Sequence, residues 1–163
     1  MTVTETALAM QSTQALQQQL RAEIGHFEAL LAQQPEAVFG DSDRMPLTHT
    51  FVDGMYVREI LIPAGTLLTG KIHRHAHPNV LLRGEVLVVT EQGGREHLVA
   101  PRVMISPAGT KRAIYALTET VWITMHANPE NLRDFAALEA LIIAPDYSAL
   151  AEPSHTPHEG ECS

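Results

Sequence analysis

The chain of 163 residues contains a single cysteine, Cys162. A disulfide within the chain and a cysteine-ligated zinc site are both excluded. Basic residues are also scarce: 11 Lys and Arg stand against 19 Asp and Glu, for a net charge of -8 with histidine neutral. That balance argues against a nucleic-acid partner, because phosphate binding needs a basic face that releases counterions. No apolar run approaches the ~20 residues of a membrane span, and Met1-Thr-Val-Thr-Glu5 has neither a basic stretch nor a following apolar block. A cytoplasmic protein without a membrane partner is expected. Aromatic residues make up 5% of the chain, hydrophobic residues 45% and charged residues 18%, the balance of one soluble globular domain. What the chain has in excess is histidine, nine in all, with His73, His75 and His77 inside five positions.

Proline is absent between Ala7 and Gln34, where Leu16, Leu20, Ile24, Phe27 and Leu30/Leu31 recur every three or four residues. This spacing predicts an amphipathic helix, secure from about Leu16, whose stripe packs on the main domain or on a second subunit. Pro35, Gly40, Asp41, Ser42, Asp43 and Pro46 then mark a linker. Helix and linker together form an expected segment 1–46. From Leu47 to Ala127, segments rich in Val, Ile, Leu and Thr alternate with turn signals at Asp53-Gly54, Pro63-Ala-Gly65, Arg83-Gly84, Gly93-Gly94, Pro101 and Pro107-Ala-Gly109. No helix-length crossover separates them, so segment 47–127 is expected to be all-β, an antiparallel sandwich or barrel. Asn128-Pro129-Glu130 reads as a helix start, with Leu132, Phe135, Leu138, Leu141 and Ile142 at helical spacing and Pro145 beyond. A short helix is expected in 128–144, and a flexible tail in 145–163.

The chemistry concentrates in Gly70-Lys-Ile-His73-Arg-His75-Ala-His77-Pro-Asn79-Val-Leu-Leu-Arg-Gly84. On an extended strand, positions two apart share a face, so Lys71, His73, His75 and His77 would point together. Residues two apart lie ~6.6 Å apart, close enough for two imidazoles to share an ion, whereas residues four apart lie ~13 Å apart. His73 and His77 therefore meet only if the chain turns between them. Neutral imidazole is a common ligand of transition metals, which makes His73, His75 and His77 metal-ligand candidates. His126 joins them, because Trp122, Thr124 and His126 alternate on one face of the last strand.

These motifs resemble the cupin family, small jelly-roll barrels. The first cupin motif runs glycine, His-x-His, a glutamate, then a glycine seven residues beyond; the second runs Pro-x-Gly-x-x-His. Here Pro63-Ala-Gly65 begins the first motif, Gly84 ends it, and Pro107-Ala-Gly109 carries the second. The resemblance spans about Leu47 to Ala127. It implies a cupin-type double-stranded β-helix with an amino-terminal and a short carboxy-terminal helix. Counting back from Gly84 puts His77 in the glutamate place, His73 at the second histidine and Lys71 at the first. Counting from the literal His73-x-His75 puts Asn79 in the glutamate place instead. The first register gives the strand before Gly84 the family's length and is preferred. The second-motif histidine is replaced by Arg112.

The resemblance implies a divalent transition metal, Zn, Fe, Ni or Mn, and a small-molecule ligand. Lys71 and Arg112, with Asn79 and Trp122, would orient an anionic ligand, although two cations beside a metal also weaken its binding. Small cupins are usually dimeric, so a homodimer is expected. The stretch Ile105 to His126 with Leu141 to Tyr147 is also similar to cupins encoded in bacteriophage and prophage genomes, which would place the protein in a host cytoplasm. Three functions follow: a metal-dependent enzyme such as an isomerase, lyase or oxygenase; a ligand-binding module; or an accessory or structural phage protein. The remaining motifs carry less. Gly93-Gly94 feeds no helix and is no phosphate loop, Ser106 and Ser148 lack a base, and Arg58, Glu59 and Glu85 are expected on solvated strand surfaces. His26, His49 and His97 read as ordinary positions, and His155 and His158 as part of the tail.

Overall fold

The computed structural model describes residues 3–37 and 41–150. His155, His158 and Cys162, and most of the expected tail, lie outside the described residues. In chain order the elements are α1 (Val3–Ala32), β1 (Leu47–Val52), β2 (Met55–Ile62), β3 (Leu67–Thr69), β4 (Ile72–His73), β5 (His77–Arg83), β6 (Glu85–Thr90), β7 (Gly94–Val99), β8 (Arg102–Ser106), β9 (Arg112–Ala116), β10 (Thr120–Ala127), α2 (Phe135–Ile142) and β11 (Ile143–Ala144), followed by a turn of 3-10 helix at Ser148–Leu150.

Alternation of apolar and polar residues gives each strand one inward face, and two sheets bury those faces against each other. One sheet has the order β1-β2-β10-β5-β8 and the other β3-β9-β6-β7, with a small β11-β4 pair beside them. Every pairing is antiparallel. β10 lies between β2 and β5, far from both in sequence, so the sheets wind as a jelly roll rather than a meander. The chain is an all-β jelly-roll barrel with an amino-terminal helix and a short carboxy-terminal helix. Ile62, Leu81, Val86, Val88, Leu98, Ile114, Ala116 and Trp122 fill one end of the barrel. The other end is closed by α2, whose Leu138 and Ile142 pack on Tyr56 and Phe51.

Gly84 joins β5 to β6 with φ +97, a region that disfavours side chains, and a Cβ there would lie 2.6 Å from the Glu119 carbonyl oxygen and 2.8 Å from the Thr120 Cα. This close approach is the physical reason for glycine at the end of the first motif.

The stripe on α1 packs on the chain's own barrel, against β3 and β6. Ile24 is buried, whereas Leu8, Met10, Leu16 and Leu30 remain exposed. Polar contacts fix the register of the helix: Glu28 accepts from Thr69 Oγ1 at 2.9 Å and from Lys111 Nζ at 2.8 and 2.7 Å. Arg21 lies over the Tyr147 ring, 3.7 Å from its centroid, beside buried Glu91. The second helix starts later than expected. Its N-cap is Asp134, which accepts from Ala137 N at 2.9 Å. Asn128, expected to cap it, is buried and instead clasps Leu132 through both amide atoms, each at 2.9 Å. No helix among the described residues is long and apolar enough to cross a membrane.

Candidate metal centre

Three histidines converge at the α2 end of the barrel. His73 leaves β4, His77 opens β5 and His126 lies near the end of β10. Bends at Arg74 and His75 fold the chain back between the first two, the turn that a strand rise of ~3.3 Å per residue requires. The His73 and His77 ring centroids are 4.2 Å apart, His73 and His126 5.0 Å, and His77 and His126 4.7 Å. One nitrogen from each ring lies within 4.8 Å of the other two. The second motif supports this end from outside: Gly109 N donates to the His73 carbonyl at 2.8 Å. Arg74 ties the turn to α2, with its Nε donating to Ala140 O and Ile143 O and its backbone N to Ile142 O.

The triad has the protonation that metal ligation needs. His77 Nδ1 lies 3.1 Å from the His75 carbonyl, to which it donates, leaving the Nε2 lone pair free. That Nε2 is buried and without a hydrogen-bond partner, a cost that a bound ion or an ordered water offsets. Burial first, then the charges of the neighbouring imidazoles, Arg112 and Arg58, push the His73 pKa down to about 2. Burial, His77 and Arg58 bring His126 to about 3. Burial also lowers His77, opposed by its bond to His75 and aided by Arg112. All three rings are neutral at neutral pH, the form that binds metal. The folded values lie below the ordinary 6.5, so the unfolded chain binds more protons between them. Stability of the metal-free protein is therefore full above about pH 6.5 and falls as pH drops toward 3; chemical denaturation at pH 7.5, 5.5 and 4.5 checks this, and a midpoint independent of pH would contradict it.

The other sequence candidates divide. Asn79 is fully buried and is the hub of the inner wall. Its Oδ1 accepts from Trp122 Nε1 at 3.1 Å and from Arg112 Nη1 at 3.3 Å, while its Nδ2 donates to Ser106 Oγ at 2.7 Å and to His77 O at 3.2 Å. Arg112 also donates to Ser106 Oγ, and its guanidinium lies 5.4 Å from the Trp122 ring centroid. Arg112 and Trp122 thus face the barrel interior beside the triad.

Lys71 does not share the histidine face. It is exposed, paired with Glu139 across a cleft of about 250 Å³ outside the barrel that Glu28 and Lys111 also line. The residue falls between β3 and β4, where strand parity no longer holds. His75 is likewise exposed at the bend and offers the cluster its carbonyl rather than its ring.

Arg58 is the residue that sequence reasoning misplaced. Expected on a solvated strand edge, it lies on the inward face of β2, opposite Thr124 of β10, in the same alternating row as Tyr56, Ile60 and Ile62. Its neighbours Tyr56 and His126 are likewise register partners. The parity of Ile60 and Ile62 was the signal that could have found it. Glu85, by contrast, lies on the surface as expected, paired with His97 at 2.6 Å.

No family model matches this sequence, and no curated protein matches it. The structure is similar to that of KdgF from Halomonas sp., at 14% identity over 60% of this chain and 90% of that one, TM-score 0.48. It is also similar to an RmlC-like cupin from Shewanella frigidimarina, at 16% identity over 64% and 93%, TM-score 0.47. Salicylate 1,2-dioxygenase from Pseudoaminobacter salicylatoxidans is similar at 14% identity over 76% of this chain and 34% of that one, TM-score 0.49. Likeness at this level says nothing of chemistry, and the jelly-roll description rests on the strand order itself.

Proposed function

We propose that the protein is a metal-binding cupin that holds one divalent transition metal, Zn, Fe, Ni or Mn, through His73, His77 and His126, with a small-molecule ligand bound beside it in the barrel. The observation that carries this reading is the convergence of three neutral imidazoles around the orphaned His77 Nε2. Donors of a tetrahedral ion with ~2.1 Å bonds sit ~3.4 Å apart, so a small inward movement of rings already within 4.8 Å closes the shell. Three protein donors leave at least one coordination position for water or ligand, as in catalytic rather than structural sites. Protein purified without a histidine tag should contain about one equivalent of metal per chain by elemental analysis. Metal below a tenth of an equivalent after zinc loading and dialysis would refute the reading. An enzyme and a ligand-binding module both use this arrangement. The second is the role to which the resemblance to phage-encoded cupins adds an accessory setting, and turnover of a ligand by the metal-loaded protein separates the two.

The proposal extends to a homodimer. Besides the exposed Leu8, Met10 and Leu16 of α1, the chain offers a second copy an apolar face on the outside of the five-stranded sheet. There Val103 and Ile105 of edge strand β8 are 73% and 65% exposed, and they pair in register with Val80 and Pro78 of β5. Apolar rows of this kind on an edge strand favour association. Light scattering should give twice the chain mass, falling to one chain in a Val103→Lys/Ile105→Lys variant; a monomeric native protein would contradict the dimer.

A further inference from the structure

Arg58 and Arg112 enter the barrel from different sheets, on β2 and β9, and both act on His73, Arg58 one inward position along β2 from Tyr56, the register partner of His126. Among the described residues neither forms an ion pair. The acid that acts on Arg112, Glu91, is already held by Lys111 N, the Tyr147 hydroxyl and Arg21, and the two that act on Arg58 are also engaged, Glu139 with Lys71 and Asp41 with Leu47 N. Polar groups on the wall between the two guanidiniums also lack partners. Thr124 Oγ1, on β10 opposite both Arg58 and Asn79, is buried with no hydrogen bond. Ser106 Oγ accepts from Asn79 and from Arg112, and its own proton has no acceptor among the described hydrogen bonds. A hydroxyl carries one donor and a guanidinium five, so donors outnumber acceptors on this wall.

With a divalent ion bound to three neutral imidazoles, two guanidiniums without an ion pair, balanced only at longer range by Glu139, Asp41 and Glu91, would share one interior with it. Such a concentration of positive charge in a low dielectric favours anions placed directly against it. We infer that the site binds a small dicarboxylic acid, with one carboxylate at Arg58 and Thr124 and the other at Arg112 and Ser106. Planar guanidinium suits carboxylate through paired hydrogen bonds, and the neighbouring hydroxyls complete each set. This inference rests on the metal reading for its third positive charge, while the two arginines and two hydroxyls stand without it.

Calorimetric titration of succinate, acetate and succinamide into full-length protein, zinc-loaded and metal-free, tests the proposal, with zinc content measured on the same samples. Succinate should bind at least 10-fold more tightly than acetate, and succinamide should not bind. Arg58→Gln and Arg112→Gln should each weaken succinate about 10- to 100-fold, as expected for loss of charge-assisted hydrogen bonds. Ser106→Ala and Thr124→Val, milder changes that preserve shape, should each weaken it severalfold and keep the proposal testable if an arginine variant fails to fold. Succinate affinity equal to that of acetate, or unchanged in the folded variants, would overturn the proposal, as would no succinate binding by either form of the native protein. If zinc does not bind but metal-free protein still takes succinate through both arginines, the metal reading fails and the dicarboxylate site stands.

Discussion

Replacing His77 by alanine is expected to lower metal affinity at least ~100-fold, beyond the 10- to 100-fold that typical changes outside the ligand shell cost. The loss follows from geometry: His77 lies within 4.2 Å of His73 and 4.7 Å of His126, measured between ring centroids, and closes the triangle. Its Nδ1 is already committed to the His75 carbonyl, so the ring presents Nε2 in one tautomer. Alanine removes that donor and leaves two imidazoles, too few to hold an ion against water. His126→Ala should have a similar effect. His75→Ala is the informative control, because only the backbone of His75 reaches the cluster and its exposed ring should be dispensable. Competition titrations with a chromogenic zinc chelator measure all three variants. Equal losses in His75→Ala and His77→Ala would show that the ion sits at the exposed bend instead.

The largest effect on folding is expected at Gly84. An alanine there adopts φ +97, which costs ~1–2 kcal/mol for a residue with a side chain. Its Cβ would also sit 2.5 Å from Thr120 Oγ1 as well as against the Glu119 and Thr120 backbone, so one of two strands must shift. Overpacking typically adds ~1–3 kcal/mol, for a total of about 2–5 kcal/mol. At ~2–4 °C per kcal/mol for a chain of this size, the melting temperature should fall by about 4–20 °C. Gly54 makes the comparison clean: it also has positive φ, +72, but a Cβ there meets nothing within 4 Å, so Gly54→Ala should show the conformational cost alone. Differential scanning calorimetry compares the two, and equal losses would contradict the close-approach account.

The β domain was legible because its pattern is local. Alternation and the turn signals mark Leu47 to Ala127 as strands, and the register counted from Gly84 pairs His73 with His77, whose rings lie together in the structure. The same register groups Lys71 with them, whereas its side chain lies outside, paired with Glu139. Parity holds only while the chain is extended, and the break after Thr69 and the bend at Arg74 and His75 rotate neighbouring side chains independently. His75 moved outward for the same reason. Which face of β10 points inward depends on how two sheets pack, a long-range property absent from the local pattern around His126; its register partner Tyr56 shares the interior. Arg58 is illegible from its charge, which suits a solvated edge, and only the inward parity of Ile60 and Ile62 points it into the barrel. The start of α2 was misplaced because Asn-Pro-Glu also suits a tight loop, and here Asn128 closes that loop through Leu132.

Anomalous diffraction from crystals of the metal-loaded protein, recorded on both sides of the metal absorption edge, tests the central claim most directly. One peak per chain is expected inside the barrel, bonded at ~2.0–2.2 Å to nitrogens of His73, His77 and His126. A fully metal-loaded crystal with its peak elsewhere, or bonded to the exposed His75 ring without all three, would contradict the account.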